Sequence, residues 1–151
     1  MSKSTGQEMA EIEGVARKVS EYFRSRPEVA AAYVFGSLAQ GRGGPSSDAD
    51  VAVLTLHPVD KRQGLALRLR YASDLEQRLR RPVDVVLLHG AGEVLAEEII
   101  RRGLLVYEAY PEQHRSWRAH RVLRFLDFVP ARRLMEKGLA AARNTAFGAY
   151  L

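Results

Sequence analysis

Cysteine is absent from the 151 residues, which excludes disulfides, thiolate catalysis and a cysteine-type zinc site. No run of about 18 apolar residues occurs, so no segment reads as a membrane-crossing helix. The N-terminal stretch MSKSTGQEMAEIEG lacks the apolar centre of a secretory signal, and the expected location is cytoplasmic. Lysine is scarce. Lys3, Lys18, Lys61 and Lys137 are the only four, so the formal charge of +5 rests on nineteen arginines. These arginines are scattered along prospective helices, which reads as solvated helix faces; a basic balance favours polyanions or acidic partners, but no direct nucleic-acid binding is expected. The four histidines, His57, His89, His114 and His120, show no ligand-like grouping. Neither an internal repeat nor a second domain is visible. What remains is a globular composition, 46% apolar and 27% charged, at the length of one ordinary domain.

The chain is organised around Val34 to Leu54, VFGSLAQGRGGPSSDADVAVL. An apolar run ending at Phe35 reads as a buried strand, and Gly36-Ser37 follows it. In a loop that wraps a phosphate, glycine permits close backbone approach, while N–H groups and a serine hydroxyl supply donors. After a Gly/Pro/Ser-rich connector, Asp48-Ala49-Asp50 leads into the apolar run Val51 to Leu54. Carboxylates two residues apart at a strand start leave the same face of the sheet. Two such charges call for a cation between them, and hard oxygen ligands of this kind suit magnesium, which takes one or two protein carboxylates plus substrate phosphates.

Gly36-Ser37, ten residues, then Asp48-x-Asp50 resembles the signature of the nucleotidyltransferase superfamily, with its polymerase-β-like fold. The spacing is similar to that of its minimal MNT-type members, which occur as antitoxins beside HEPN-domain toxins. A third carboxylate, Asp84 in Arg81-Pro-Val-Asp-Val-Val-Leu-Leu88, and the stretch Glu97 to Glu108 extend the likeness. A carboxylate amid those apolar residues is expected to be buried, and so to be paired, hydrogen-bonded or on a metal. The resemblance places Asp84 on a strand beside that of Asp48 and Asp50. It implies two magnesium ions about 3.5–4 Å apart and ATP as substrate. Asp48 and Asp50 then bridge both ions, while Asp84 holds the nucleophile-side ion and helps take up the nucleophile's proton. Gly36 and Ser37 grip the β- and γ-phosphates. Relatives often have arginine where Gln40 stands; here the nearest guanidinium of the loop is Arg42, which with Gly36 and Ser37 is the expected nucleotide-binding set. The implied function is transfer of AMP to a tyrosine of a HEPN RNase toxin, with the two proteins forming a hetero-oligomer. The rival readings are an antitoxin that acts by binding alone and an adenylyltransferase for a small molecule.

Taken in order, residues 1 to 7 read as frayed and Glu8 to Ser25 as an amphipathic helix stopped at Arg26-Pro27. Strands are expected at Val29 to Phe35, Ala49 to Leu56, Val83 to Leu88 and Leu104 to Glu108. Between them lie helices at about Lys61 to Arg80, with Leu65, Leu69, Ala72, Leu75 and Leu79 as the apolar stripe, and at Glu93 to Arg102. A tail helix from Pro111 to about Asn144 is expected to kink or split at Pro130. Its apolar side comprises Trp117, Leu123, Leu126, Leu134 and Leu139; its aromatics Tyr110, Trp117, Phe125 and Phe128 read as packing on the core or as a docking face. Arg115 to His120 fits a loose R-x4-H ribonuclease pattern, which an arginine-rich helix produces by chance. The pattern is an α+β fold: a small mixed sheet flanked by helices, a core at 8–109 and a helical extension at 110–151 of one domain.

Overall fold

A computed structural model describes residues 2–44 and 47–148. Among the described residues five α-helices and four strands follow one another as α1 (Ser2–Phe23), β1 (Val29–Phe35), α2 (Gly36–Ala39), β2 (Ala49–Thr55), α3 (Lys61–Leu79), β3 (Val83–Leu87), α4 (Glu93–Arg102), β4 (Leu104–Glu108) and α5 (Pro111–Gly148), with a 3-10 turn at Leu88–Gly90 after β3. The sheet runs β3-β2-β1-β4; β1 is antiparallel to β2 and to β4, and β2 is parallel to β3. This is the expected mixed sheet. None of the described helices is long and apolar enough to cross a membrane.

Strand alternation divides the core into two. On one face, Val51, Val53, Val83 and Val85 meet Val15, Val19 and Phe23 of α1 and Tyr71, Leu75 and Leu79 of α3. On the other, Ala31, Tyr33, Ala52 and Leu54 meet Ala96 and Ile99 of α4 and Trp117 of α5. Helix α1 begins at Ser2, well before the expected start, because nothing in its polar first turns breaks a helix. Asp60 caps α3 by accepting from the Gln63 N–H at 2.8 Å.

The apolar stripe expected on α3 is rotated. Leu65 and Leu69 are 55% and 62% exposed, and the inward residues are Gly64, Tyr71, Leu75 and Leu79. The reason is aromatic packing: the Tyr71 ring stands edge-on to Tyr22 and Phe23, with centroids at 6.2 and 5.4 Å, and its hydroxyl donates to Glu28 Oε1 at 2.7 Å. Helix α5 runs through Pro130 without splitting. Its first turns bury His114, Trp117 and Arg121, whereas Leu123, Leu126 and Leu134 are exposed. The side-chain surroundings of Leu139 lie outside the described residues, as do Pro45 and Ser46 of the connector.

Candidate active site

Three strand ends converge at one edge of the sheet. The parallel register sets Asp50 directly beside Asp84, and the antiparallel register sets Phe35 opposite Asp50, so Gly36 emerges at the same edge. Alternation places Asp50 on the face of Ala52 and Leu54, and Asp84 on the face of Val86, which α4 and α5 cover. The adjacency of the Asp84 strand to the Asp50 strand is therefore real.

Gly36 is required twice over. Its φ is +74°, a left-handed conformation, and a Cβ there would overlap Asp50 Oδ2 and stand 3.1 Å from Asp50 Cγ. Ser37 is exposed at the start of α2. The loop then folds back: the Arg42 N–H donates to Ser37 O at 2.9 Å, Gly41 takes a φ of +72°, and Gly43 packs against the Leu38 backbone. The Arg42 guanidinium donates to Gln40 Oε1, which holds it over the loop.

Burial, then the charge of Asp84, then that of Asp48, push the Asp50 carboxyl above the usual carboxylate range. None of the three aspartates joins an ion pair among the described residues. Asp48 lies one residue ahead of β2 and is exposed. Asp84, expected to be buried among its apolar neighbours, is exposed, because β3 is an edge strand and its flank at this end is open. Among the described residues no group of three acidic or imidazole side chains stands at metal-holding spacing. The structure thus brings Asp50, Asp84 and Gly36 together and leaves Asp48 at the margin. Two uncompensated carboxylates on adjacent strands fit a hard divalent cation that completes its shell with phosphate oxygens and water.

Arg81 escaped the sequence reading. Its guanidinium donates to Ser47 O at 3.3 Å and pairs with Glu11, while the Ala49 N–H donates to Pro82 O at 2.9 Å; together these fix the approach to Asp48. Arg80 beside it takes a left-handed turn, φ 56°. Nothing in the sequence singles this arginine out from the others. At the far ends of β2 and β3, His89 Nε2 bonds Thr55 O at 2.8 Å, and a cavity of about 470 Å³ opens there beside Val59, Arg68 and Leu95, with none of the three aspartates in its lining. Arg115 and His120 are both exposed on α5, outside the site.

Similar architecture occurs in solved toxin–antitoxin complexes. A chain of such a complex with AMP-PNP is 23% identical, with a TM-score of 0.68, over 82% of this chain and 97% of that one. A chain from the complex of a tri-AMPylated Shewanella oneidensis HEPN toxin with MNT antitoxin is 20% identical, with a TM-score of 0.66, over 85% and 98%. A chain from the pair MntA–HpeT, in a tyrosine-to-alanine mutant, is 23% identical, with a TM-score of 0.65, over 82% and 95%. At such identities the likeness establishes the fold. A comparison with curated proteins gave no match. Residues 17–112, more than half of the chain and including every aspartate of the site, match the family described as Polymerase beta, Nucleotidyltransferase, and the chain belongs to that family.

Proposed function

We propose that this chain is a magnesium-dependent adenylyltransferase that moves AMP from ATP to a tyrosine of a cognate HEPN-domain toxin and thereby acts as its antitoxin. The observation that carries the reading is the side-by-side placement of Asp50 and Asp84 against Gly36. Its context is the fold shared with chains of toxin–antitoxin complexes, one holding AMP-PNP and another a tri-AMPylated toxin.

Asp50 and Asp84 would hold magnesium, with Asp48 contributing from the loop. When bound, the metal supplies positive charge to the phosphates and lowers the pKa of the attacking hydroxyl. The rest falls to the chain. Gly36 lets the backbone approach the triphosphate without displacing the Asp50 carboxylate, and Ser37 offers its hydroxyl and N–H groups to the β- and γ-phosphates. The tyrosine oxygen attacks the α-phosphorus as the bond to the β-phosphate oxygen breaks. Pyrophosphate leaves, and the phenolic proton passes to Asp84, which is exposed and so accessible to an incoming acceptor. The edge position of β3 serves a macromolecular acceptor better than a buried site.

The test is to combine the chain with ATP, magnesium and the helical protein encoded beside it, and to record intact masses. Gain of about 329 Da per AMP on that partner, mapped to tyrosine and absent with Asp48→Ala/Asp50→Ala, is the expected result. A stable complex with no mass change refutes transfer and leaves an antitoxin that acts by binding. Modification of a small molecule instead refutes the protein acceptor.

A further inference from the structure

On the α4 side of Gly36 the surface closes into a cavity of about 140 Å³ lined by Phe35, Gly36, Gln40, Glu98, Arg102 and Gly103. Arg102 is the last residue of α4, four positions after Glu98, so the two share a helix face that overhangs the signature loop. The arrangement is held firmly. Leu104 pairs with Val34 in the β1–β4 register, so Arg102 and Gly36 each lie two residues from one fixed point of the sheet. Gly103 is pressed between strand and helix: a Cβ there would come within 3.2 Å of the Tyr33 ring and 2.5 Å of Ile99 O.

Arg102 is also free. Glu97 and Arg101 form an ion pair at 3.3 Å along the helix, but Glu98 and Arg102, at the same spacing, do not, and Arg102 joins no ion pair among the described residues. Within the loop the only cation, Arg42, is turned onto Gln40. The three aspartates provide negative charge only. A triphosphate carries about four negative charges, so even with magnesium on the aspartates the assembly stays anionic, and Arg102 lines the cavity beside Gly36 from the opposite wall.

We propose that Arg102, with the Gln40 amide, forms the subsite for the terminal phosphates of a nucleoside triphosphate; the proposal rests on the transferase reading above. The planar guanidinium presents paired donors that match two phosphate oxygens, and the same charge steadies the pyrophosphate as it departs. Arg102 is here a substrate-binding residue.

The experiment compares binding of AMP-PNP and of AMP to the full chain in the presence of magnesium. Arg102→Ala is expected to weaken AMP-PNP about 10- to 100-fold, the loss of charge-assisted hydrogen bonds, and to leave AMP unchanged, since AMP lacks the phosphates concerned. Arg102→Lys should recover part of the affinity. Arg101→Ala removes the same net charge one residue away and should bind AMP-PNP like the wild type. Equal AMP-PNP affinity in Arg102→Ala and wild type overturns the subsite, as does a loss shared equally by AMP or by Arg101→Ala. Wild-type protein that binds AMP-PNP through Arg102 yet transfers nothing overturns the transferase reading alone. Wild-type protein that binds no AMP-PNP overturns both.

Discussion

Replacing Gly36 by alanine separates backbone strain from damage to the site. The φ of +74° costs a residue with a Cβ about 1–2 kcal/mol. The added methyl also overlaps Asp50 Oδ2, the end of a side chain that can rotate away, so the total destabilisation should stay near 1–3 kcal/mol. At about 2–4 °C per kcal/mol for a chain of this size, the melting temperature falls by roughly 2–12 °C. The functional loss is larger. Swinging the carboxylate aside moves it by about an ångström, and misplacement on that scale costs on the order of 100-fold in rate. Gly41→Ala is the matched control: its φ is +72°, but the nearest atom to a Cβ is Glu8 Oε2 at 3.9 Å, so it carries the strain without the collision. Calorimetric melting and AMP transfer, measured on both variants, decide the matter. Wild-type transfer by Gly36→Ala would refute the placement of chemistry at Asp50. Equal loss in Gly41→Ala would assign the defect to the backbone instead.

Asp50→Asn should abolish transfer yet leave the metal-free protein as stable as wild type at pH 7, or more so. A carboxyl with a raised folded-state pKa favours the fold when protonated, so its stabilising effect fades as pH rises, and asparagine removes that penalty; a lower melting temperature at pH 7 would contradict the burial and the repulsion that raise it. His114 is expected to carry an acid-sensitive step. Its imidazole is buried between Tyr33 and Glu108, and burial holds its pKa below the usual value. The unfolded chain then binds the proton more readily, so stability is full above about pH 6.5 and declines as pH falls toward the folded-state pKa. Melting curves from pH 8 to 5 should show that decline in wild type and a flatter profile in His114→Gln. Trp117→Ala should cost about 3–5 kcal/mol, whereas Leu126→Ala and Leu134→Ala should leave the melting temperature nearly unchanged, because both side chains are exposed; a large loss in either would show that the distal helix supports the fold.

Short-range signals were legible in the sequence. Apolar runs bounded by Gly, Pro and Asp marked all four strands, and the Gly36-Ser37 to Asp50 spacing pointed to the candidate site, because each depends on residues close in the chain. Exposure at Asp84 was not legible, since its neighbours look the same whether β3 is central or at the edge, and only the strand order settles that. The buried side of α3 was misjudged for a related reason. Leucine spacing pointed to Leu65 and Leu69, but the deciding partners, Tyr22 and Phe23, belong to α1. Arg81 holds Ser47, 34 positions away, and His114 meets Tyr33, 81 positions away; no local pattern announces contacts of that range.

Those long-range contacts explain why the first turns of α5 matter to a site they never touch. The described family match ends at residue 112, yet packing continues through Arg121. The Tyr33 hydroxyl, its pKa raised to about 12 by burial, donates to His114 Nε2, and His114 Nδ1–H donates to Glu108, so α5 is fastened to β1 and β4 together. Arg121 donates to the carbonyls of Leu88 and Ala91, and Arg124 bonds Glu93 Oε1 at 2.6 Å, which fastens the same helix to the start of α4. With its start clamped by α5 and its end pressed on Tyr33 through Gly103, α4 has little freedom to pivot over the signature loop. The position of Arg102 relative to Gly36 is thus set from both ends of α4. Loosening either clamp is expected to disturb the proposed phosphate subsite before the carboxylates, which are carried by β2 and β3 on the other side of β1.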